Sequence, residues 1–292
     1  MIRLASVWLT SPAWGRYPVT RLVLAQRRHL CDELTSRGLE AHGVIVANDE
    51  NLDIAREYGF ETVEMDNRWL GGRFNAGFEY AAKQGADYFV HVGSDDWVHP
   101  DFFAPLWDDT IVIKIYNPGP VVLVAQRSLI VNLHTGRGKF VLAESFGPSH
   151  FGGFPPYLFP REVLEACEFA PLRPRDWSNP IDPALNRSLQ PQPNWIPWEP
   201  NLYCSVSWNS KDAITPYRYN EPLAVYSPEE SPWEVLAEHY PAELVELAEK
   251  THLEMAEPED PGEREPEYWD VLVARVRRHD PEYADQLLED GY

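Results

Sequence analysis

Residues 87–96 read DYFVHVGSDD. Tyr88, Phe89, Val90 and Val92 are the aromatic and β-branched residues that suit a buried strand, and the run stops on Gly93, Ser94 and two neighbouring carboxylates, Asp95 and Asp96. Adjacent carboxylates repel each other and resist burial. A strand that ends on both is therefore expected to have something positive to hold at its tip.

The segments upstream alternate in type. Residues 2–9 (IRLASVWL) read as a strand, followed by a turn-rich SPAWGRYP. Residues 19–38 carry apolar side chains at helical spacing and end on Gly38, a helix stop. Residues 40–49 read as a buried strand, ENLDIAREYG as a short helix closed by Gly59, and FETVEM as a third strand. Residues 71–85 read as a helix with glycines at its amino end, leading into the acidic strand. This order predicts an α/β fold with right-handed crossovers and a mainly parallel sheet flanked by helices. In such sheets ligands sit beyond the carboxyl ends of the strands, where Thr10, Asp49, Asp95 and Asp96 fall.

Past residue 110 the pattern changes. IVIKIYN and PVVLVAQRSLIVNL read as antiparallel strands, ESFGPSHFGGFPPYLFP as a loop, REVLEACEF as a short helix, QPQPNWIPWEP as a proline-rich connector and YCSVSW as a last strand. Acidic helices follow, expected to pack on the body through Trp233, Leu236, Leu244, Leu247, Trp269, Leu272 and Val276, and broken by EPEDPGEREP. The expected divisions are 1–110, a 111–227 half of the same domain, and a 228–292 helical extension.

Composition excludes several classes. A net charge of −21 disfavours nucleic-acid coating; 20 acidic against 5 basic residues in 228–292 supply −15 of it, leaving a mildly acidic body. Three scattered cysteines, Cys31, Cys167 and Cys204, fit a reducing compartment. No apolar run approaches a membrane span, and MIRLASVWLT is too short and mixed for a secretory leader. A cytoplasmic location is expected. HTGRGKF lacks the first glycine of a Walker loop, and the loop after the first strand lacks the glycine-rich pattern of sugar-nucleotide pyrophosphorylases.

Three segments in order carry a resemblance: VANDENLD (46–53), LGGRFNAG (70–77) and FVHVGSDDWVHPDFF (89–103). Over residues 3 to 105, with fainter echoes to 215, the chain resembles the GT-A glycosyltransferases, family 2 above all. The resemblance implies a nucleotide-diphosphate sugar donor, a divalent cation (Mn²⁺ or Mg²⁺) and inverting transfer to an acceptor hydroxyl of a glycan, protein, small molecule or modified DNA base. By position, Asp49 would bind the nucleotide base with Thr10 near the same ring. Arg73 would approach base or phosphates, and Asn75 would support the loop. Asp95 would be the metal ligand, with Asp96 at metal or sugar as a catalytic candidate. Gly93 stands where the family has the first aspartate of its D-x-D, and Asn48 where it has another Asp.

The family's catalytic base corresponds to Asp182 in PIDPALNRSL, which is also a good helix cap before Pro183; Asp176 is a second candidate. His150 is a further candidate metal or phosphate ligand, and Lys211 in SWNSKDAIT a candidate phosphate contact. Among Trp69, Trp97, Trp177, Trp195 and Trp198, one or two are expected to stack on a sugar. The alternative is a non-catalytic scaffold of the same fold that docks a basic partner through its acidic tail.

Overall fold

The computed structural model describes residues 4–66, 70–108, 111, 119–125, 127–134, 136, 138–142, 154–172, 189, 193–198, 200–201, 204–209 and 231–256. Its first hundred residues follow the expected alternation: β1 (Ser6–Pro12), α1 (Tyr17–Ser36), β2 (Glu40–Ala47), α2 (Asn51–Glu57), β3 (Glu61–Glu64), α3 (Leu70–Lys83) and β4 (Tyr88–His91). Local chemistry sets the boundaries. Helix α1 starts at a proline in its first turn, and ends where Gly38 takes φ 87° and Leu39 N–H closes on Leu34 O.

β1, β2, β3 and β4 pair in parallel, with β1 between β2 and β4. Both faces of β1 are covered. Val7 and Leu9 point to the side packed by Leu24, Leu30 and Leu34 of α1. Trp8 points to the side packed by Phe74 and Phe78 of α3. Apolar residues at every position, rather than every second one, follow from this double cover.

The sheet continues through segments expected to be irregular. β9 (Phe154–Pro160) lies antiparallel between β4 and β6 (Val121–Ala125), and β10 (Asn194–Pro197) adds an edge parallel to β6. The seven-stranded order is β10-β6-β9-β4-β1-β2-β3. The FPPYLFP stretch is thus a central strand and not a loop. Its Pro155 and Pro156 fall where the register slips between Val124 and Ala125, and Pro160 ends the ladder, so no interior hydrogen bond is lost. Tyr157, Leu158 and Phe159 are buried.

The expected single strand over 120–133 divides in two. β6 stays in the large sheet, while β7 (Arg127–Asn132) enters a second sheet with β5 (Asp96–Val98), β11 (Ser205–Asn209) and β8 (Gly138–Leu142), in the order β5-β11-β7-β8. A short 3₁₀ helix (Pro100–Leu106) follows β5. A five-residue helix, α4 (Arg161–Glu165), follows β9.

The helices α5 (Pro232–His239) and α6 (Ala242–Met255) seat on this second sheet and on the start of α1. Leu236 and Ala248 are fully buried, and Tyr240, Leu244 and Val245 nearly so, beside Trp97, Leu129 and Trp208. Trp233 stacks between Trp208 and His252. Two reciprocal contacts fasten the helix end: His252 Nδ1 lies 2.7 Å from Leu133 O, and His134 Nδ1 lies 2.7 Å from Met255 O. This part of the acidic extension is core structure.

No described helix is long and apolar enough to cross a membrane.

Two outcomes follow from the packing. Leu236→Ala should cost about 2–5 kcal/mol in urea unfolding, because the site it leaves is closed on all sides. His91 is fully buried, its ring stacked on Phe74 at 3.8 Å, and burial pushes its pKa down to about 3. Above pH 6.5 both folded and unfolded chains hold it neutral; below 6.5 only the unfolded chain takes the proton, so stability falls as pH falls. Between pH 7 and pH 5 this residue should remove roughly 2 kcal/mol. Urea midpoints of wild type and His91→Leu at the two pH values should differ by that component.

Candidate functional site

Three strand ends converge. β1 leaves into residues 13–16, β2 into 48–50 and β4 into 93–95. Because β2 and β3 lie on one side of β1 and β4 on the other, the winding reverses between β1 and β4. The loops leaving those two strands diverge there, and in open α/β sheets that opening is where ligands bind.

One residue from each diverging loop spans the opening. Arg16 Nη1 donates to Asp95 Oδ2 at 2.9 Å, with 11% and 28% of the two side chains exposed. Arg16 Nη2 donates to Ser94 Oγ. Arg16 is the residue before α1 and holds a left-handed backbone, φ 45°. Asp95 O accepts the Trp208 N–H at 2.7 Å, which fixes the loop from below.

Asp96 turns the other way. Its Oδ2 accepts the Gly93 N–H at 3.0 Å, and its Oδ1 accepts the hydroxyl of Ser207, its cross-strand neighbour on β11. Arg27 Nη2, on α1, donates to Gly93 O. Arg27 is fully buried, and desolvation pushes its pKa down to about 10, still protonated at neutral pH. Asp96 is 5% exposed; its pKa is raised, by burial first and by the neighbouring Asp95 charge second, while Ser207, Arg27 and Gly93 N–H oppose the rise.

Gly93 follows from Asp96. A Cβ at position 93 would sit 2.3 Å from Asp96 Oδ2 and 3.1 Å from Asp95 Oδ1. With Asp96 facing inward, its carboxylate occupies the space a side chain at position 93 would need.

The remaining residues form the frame. Asp49 is half-buried; its Oδ2 accepts the Gly15 N–H at 3.0 Å and its Oδ1 the Asn51 backbone N–H and side-chain amide at 3.0 and 2.7 Å. It joins the β1 and β2 loops at the start of α2. Arg73, 3% exposed, donates through Nη2 to Ala13 O and, at 2.9 Å, to Val46 O. Burial lowers its pKa to about 10, against Asp49 and Asp66, which raise it. Asn75 exchanges a reciprocal pair with Leu172, Nδ2 to O at 2.6 Å and Oδ1 from N at 3.1 Å. Thr10 is fully buried, its hydroxyl donated to Val90 O at 3.0 Å.

The structure thus gathers Asp49, Arg73, Asp95 and Asp96 at one sheet edge. It places Thr10 inside the sheet and commits the Asn75 amide to the Leu172 backbone. Trp97, expected near the cleft, lies fully buried against Trp208 and Tyr240, while Trp195 packs on Tyr157 and Phe159. Asp182, Asp176, His150, Lys211, Trp69 and Trp177 lie outside the described residues.

Arg16, Arg27 and Ser207 were not singled out from sequence. Arg27 left a signal: it sits on the buried stripe of α1 with Val23, Leu30 and Cys31, where a charge needs a partner. Arg16 left a weaker one, a cation in the loop after the first strand.

These carboxylates do not fit a divalent cation. A hard cation needs several free oxygen ligands. Both Asp96 oxygens are used inside the fold and Asp95 Oδ2 already carries a guanidinium, which leaves Asp95 Oδ1, beside that positive charge, as the doublet's one oxygen with no partner among the described residues. Among the described residues no group of three His, Cys, Asp or Glu is arranged to hold a metal.

No protein-family model and no curated protein matches the chain. Solved structures similar to it include S. aureus TarS in complex with UDP (12% identity, 94% of this chain and 71% of that one, TM-score 0.43). A Drosophila β1,4-galactosyltransferase 7 mutant with manganese, UDP-Gal and xylobiose is similar at 12% identity, covering 69% and 68%, with TM-score 0.40. A CMP:2-keto-3-deoxy-manno-octonic acid synthetase complexed with CTP is similar at 12% identity, covering 71% and 90%, with TM-score 0.38. Likenesses this distant carry no functional argument.

Gly93→Ala should destabilise the protein by about 1–3 kcal/mol, by forcing Asp96 off the Gly93 N–H and Ser207. In an Asp96→Ala background the same substitution should cost less than half as much. A double-mutant cycle by urea unfolding checks the coupling.

Proposed function

We propose that this chain is a glycosyltransferase that moves a sugar from a nucleotide diphosphate to an acceptor hydroxyl, with the donor lying across the carboxyl ends of β1, β2 and β4. The observation that carries the reading is the Arg16–Asp95 pair spanning the point where the sheet's winding reverses. A diphosphate there meets a guanidinium whose planar donors match phosphate oxygens. Asp49, half-buried and anchored by Gly15 and Asn51, follows β2, the neighbour of β1 in the sheet, and is the proposed contact for the nucleoside.

In this reading the transfer is inverting. A carboxylate takes the acceptor's proton as the hydroxyl oxygen attacks the anomeric carbon, and the nucleoside diphosphate leaves from the opposite face. Asp182 is the proposed base, supported by the resemblance of its segment to the family's base-bearing helix start. Asp96 drops out as a catalytic candidate in this scheme, since its oxygens hold the turn.

A nucleotide-sugar panel tests the proposal by thermal shift. One donor at saturating concentration should raise Tm by a few degrees, since a ligand that binds only the folded chain stabilises it by mass action. Asp182→Asn should leave that shift intact and lower sugar transfer by at least about a hundredfold. A chain that ignores every nucleotide sugar would favour the scaffold reading instead.

A further inference from the structure

Resting on that donor-site reading, we infer that this site binds the diphosphate without a divalent cation, and that the Arg16 guanidinium supplies the positive charge a metal ion would otherwise bring. The ground is the commitment of the acidic pair. A metal bound at the doublet needs at least one carboxylate facing outward with oxygens to give. Asp96 faces inward, its oxygens on Ser207 and on the Gly93 N–H. Turning it out would leave a half-buried hydroxyl and a half-buried N–H unpaired and would strip the buried Arg27 of its nearby anion, a cost no single ligand bond offsets readily. Asp95 is the outward member of the doublet, and its Oδ2 is 2.9 Å from Arg16 Nη1, so a metal at its remaining oxygen would have to share one carboxylate with a guanidinium.

Arg16 is placed to act on phosphate rather than only to neutralise Asp95. A guanidinium has five N–H donors; Asp95 and Ser94 take two of them among the described residues. Phosphate oxygens can therefore be added on the solvent side while Asp95 keeps the group aimed. Its loop is held at two points, Gly15 N–H on Asp49 and Ala13 O on Arg73, so the cation's position is set before the ligand arrives. Pre-positioning of this kind keeps the ordering cost of binding low. In this scheme Asp95 orients Arg16, and Arg16 touches the diphosphate.

Isothermal titration with UDP, GDP, CDP, ADP and dTDP, each in excess EDTA and again in excess Mn²⁺, tests the inference. At least one should bind wild type with an affinity that EDTA changes by no more than about twofold. Arg16→Gly, a residue that accepts the positive φ of this position, should weaken that binding about tenfold or more in both conditions, with an unchanged thermal melt showing that the fold persists. Arg16→Lys should recover part of the loss. Binding that appears only with Mn²⁺, or that survives Arg16→Gly unaltered, overturns the inference and leaves the donor-site reading standing. No binding of any nucleoside diphosphate under either condition overturns both.

Discussion

A carboxylate buried beside another carboxylate must be held, and the way Asp96 is held organises everything around it. Its two oxygens reach opposite directions, to the Gly93 N–H within its own turn and to Ser207 on a strand 111 residues away. The first bond closes the turn after β4. The second fastens β5 to β11, so the end of the large sheet is stitched to the start of the small one. Arg27 enters from α1 to grip Gly93 O and supply opposite charge. Each contact satisfies a group whose burial alone costs several kcal/mol. With Asp96 committed inward, position 93 has no room for a side chain, and Asp95 is left as the outward member.

The rim above that foundation is assembled by the same economy. Helix α3 sends Arg73 under the sheet edge to carbonyls at the ends of both β1 and β2, while Ala13 N–H joins Val46 O at 3.0 Å. Asp49 then collects backbone donors from the β1 loop and from the start of α2. Sequence positions that looked like ligand contacts are in part loop anchors. The two tasks are compatible, because a rim whose main chain is fixed presents Arg16 in one place. For the diphosphate proposed above, a rigid cation would offer more than an additional mobile one.

What could be read from sequence follows from the range of the forces involved. The alternation of β1 through β4 was legible because the strands are buried on both faces and the helices carry a stripe at their own period. β9 and β10 were not, because prolines at 155, 156, 160 and 197 mark them as irregular. Only the partner strands show that those prolines fall at a register slip and at strand ends. The same limit applies within the acid doublet. Two identical side chains in adjacent positions give no local sign of which one turns inward; the decision is made by Ser207 and by an arginine on α1, both remote in sequence. The strand ends that gather at the site were legible as a set, and their individual duties were not.

Apolar spacing counted for more than charge where charge was densest. The segment from 228 onward carries −15, yet Trp233, Leu236, Leu244 and Leu247 recur at the spacing of helices packed on the body. Between 232 and 255 the acidic side chains are the outer face of a packed pair: Glu234, Glu238, Glu243, Glu246 and Glu254 are exposed, while Leu236, Leu244, Val245 and Ala248 close a core with Trp97 and Trp208. Trp97 is the residue after Asp96, and Trp208 is the residue after Ser207. The helices therefore press on the very strand pair that holds the inward carboxylate, with Tyr240 against Trp97 at 5.1 Å and Trp233 stacked on Trp208. Loosening them would loosen the hydrogen bond between Asp96 and Ser207, and through it the turn that presents Asp95 to Arg16. By this chain of contacts α5 and α6 belong to the foundation of the site, and an account of ligand binding that treats them as detachable would leave its central turn without support.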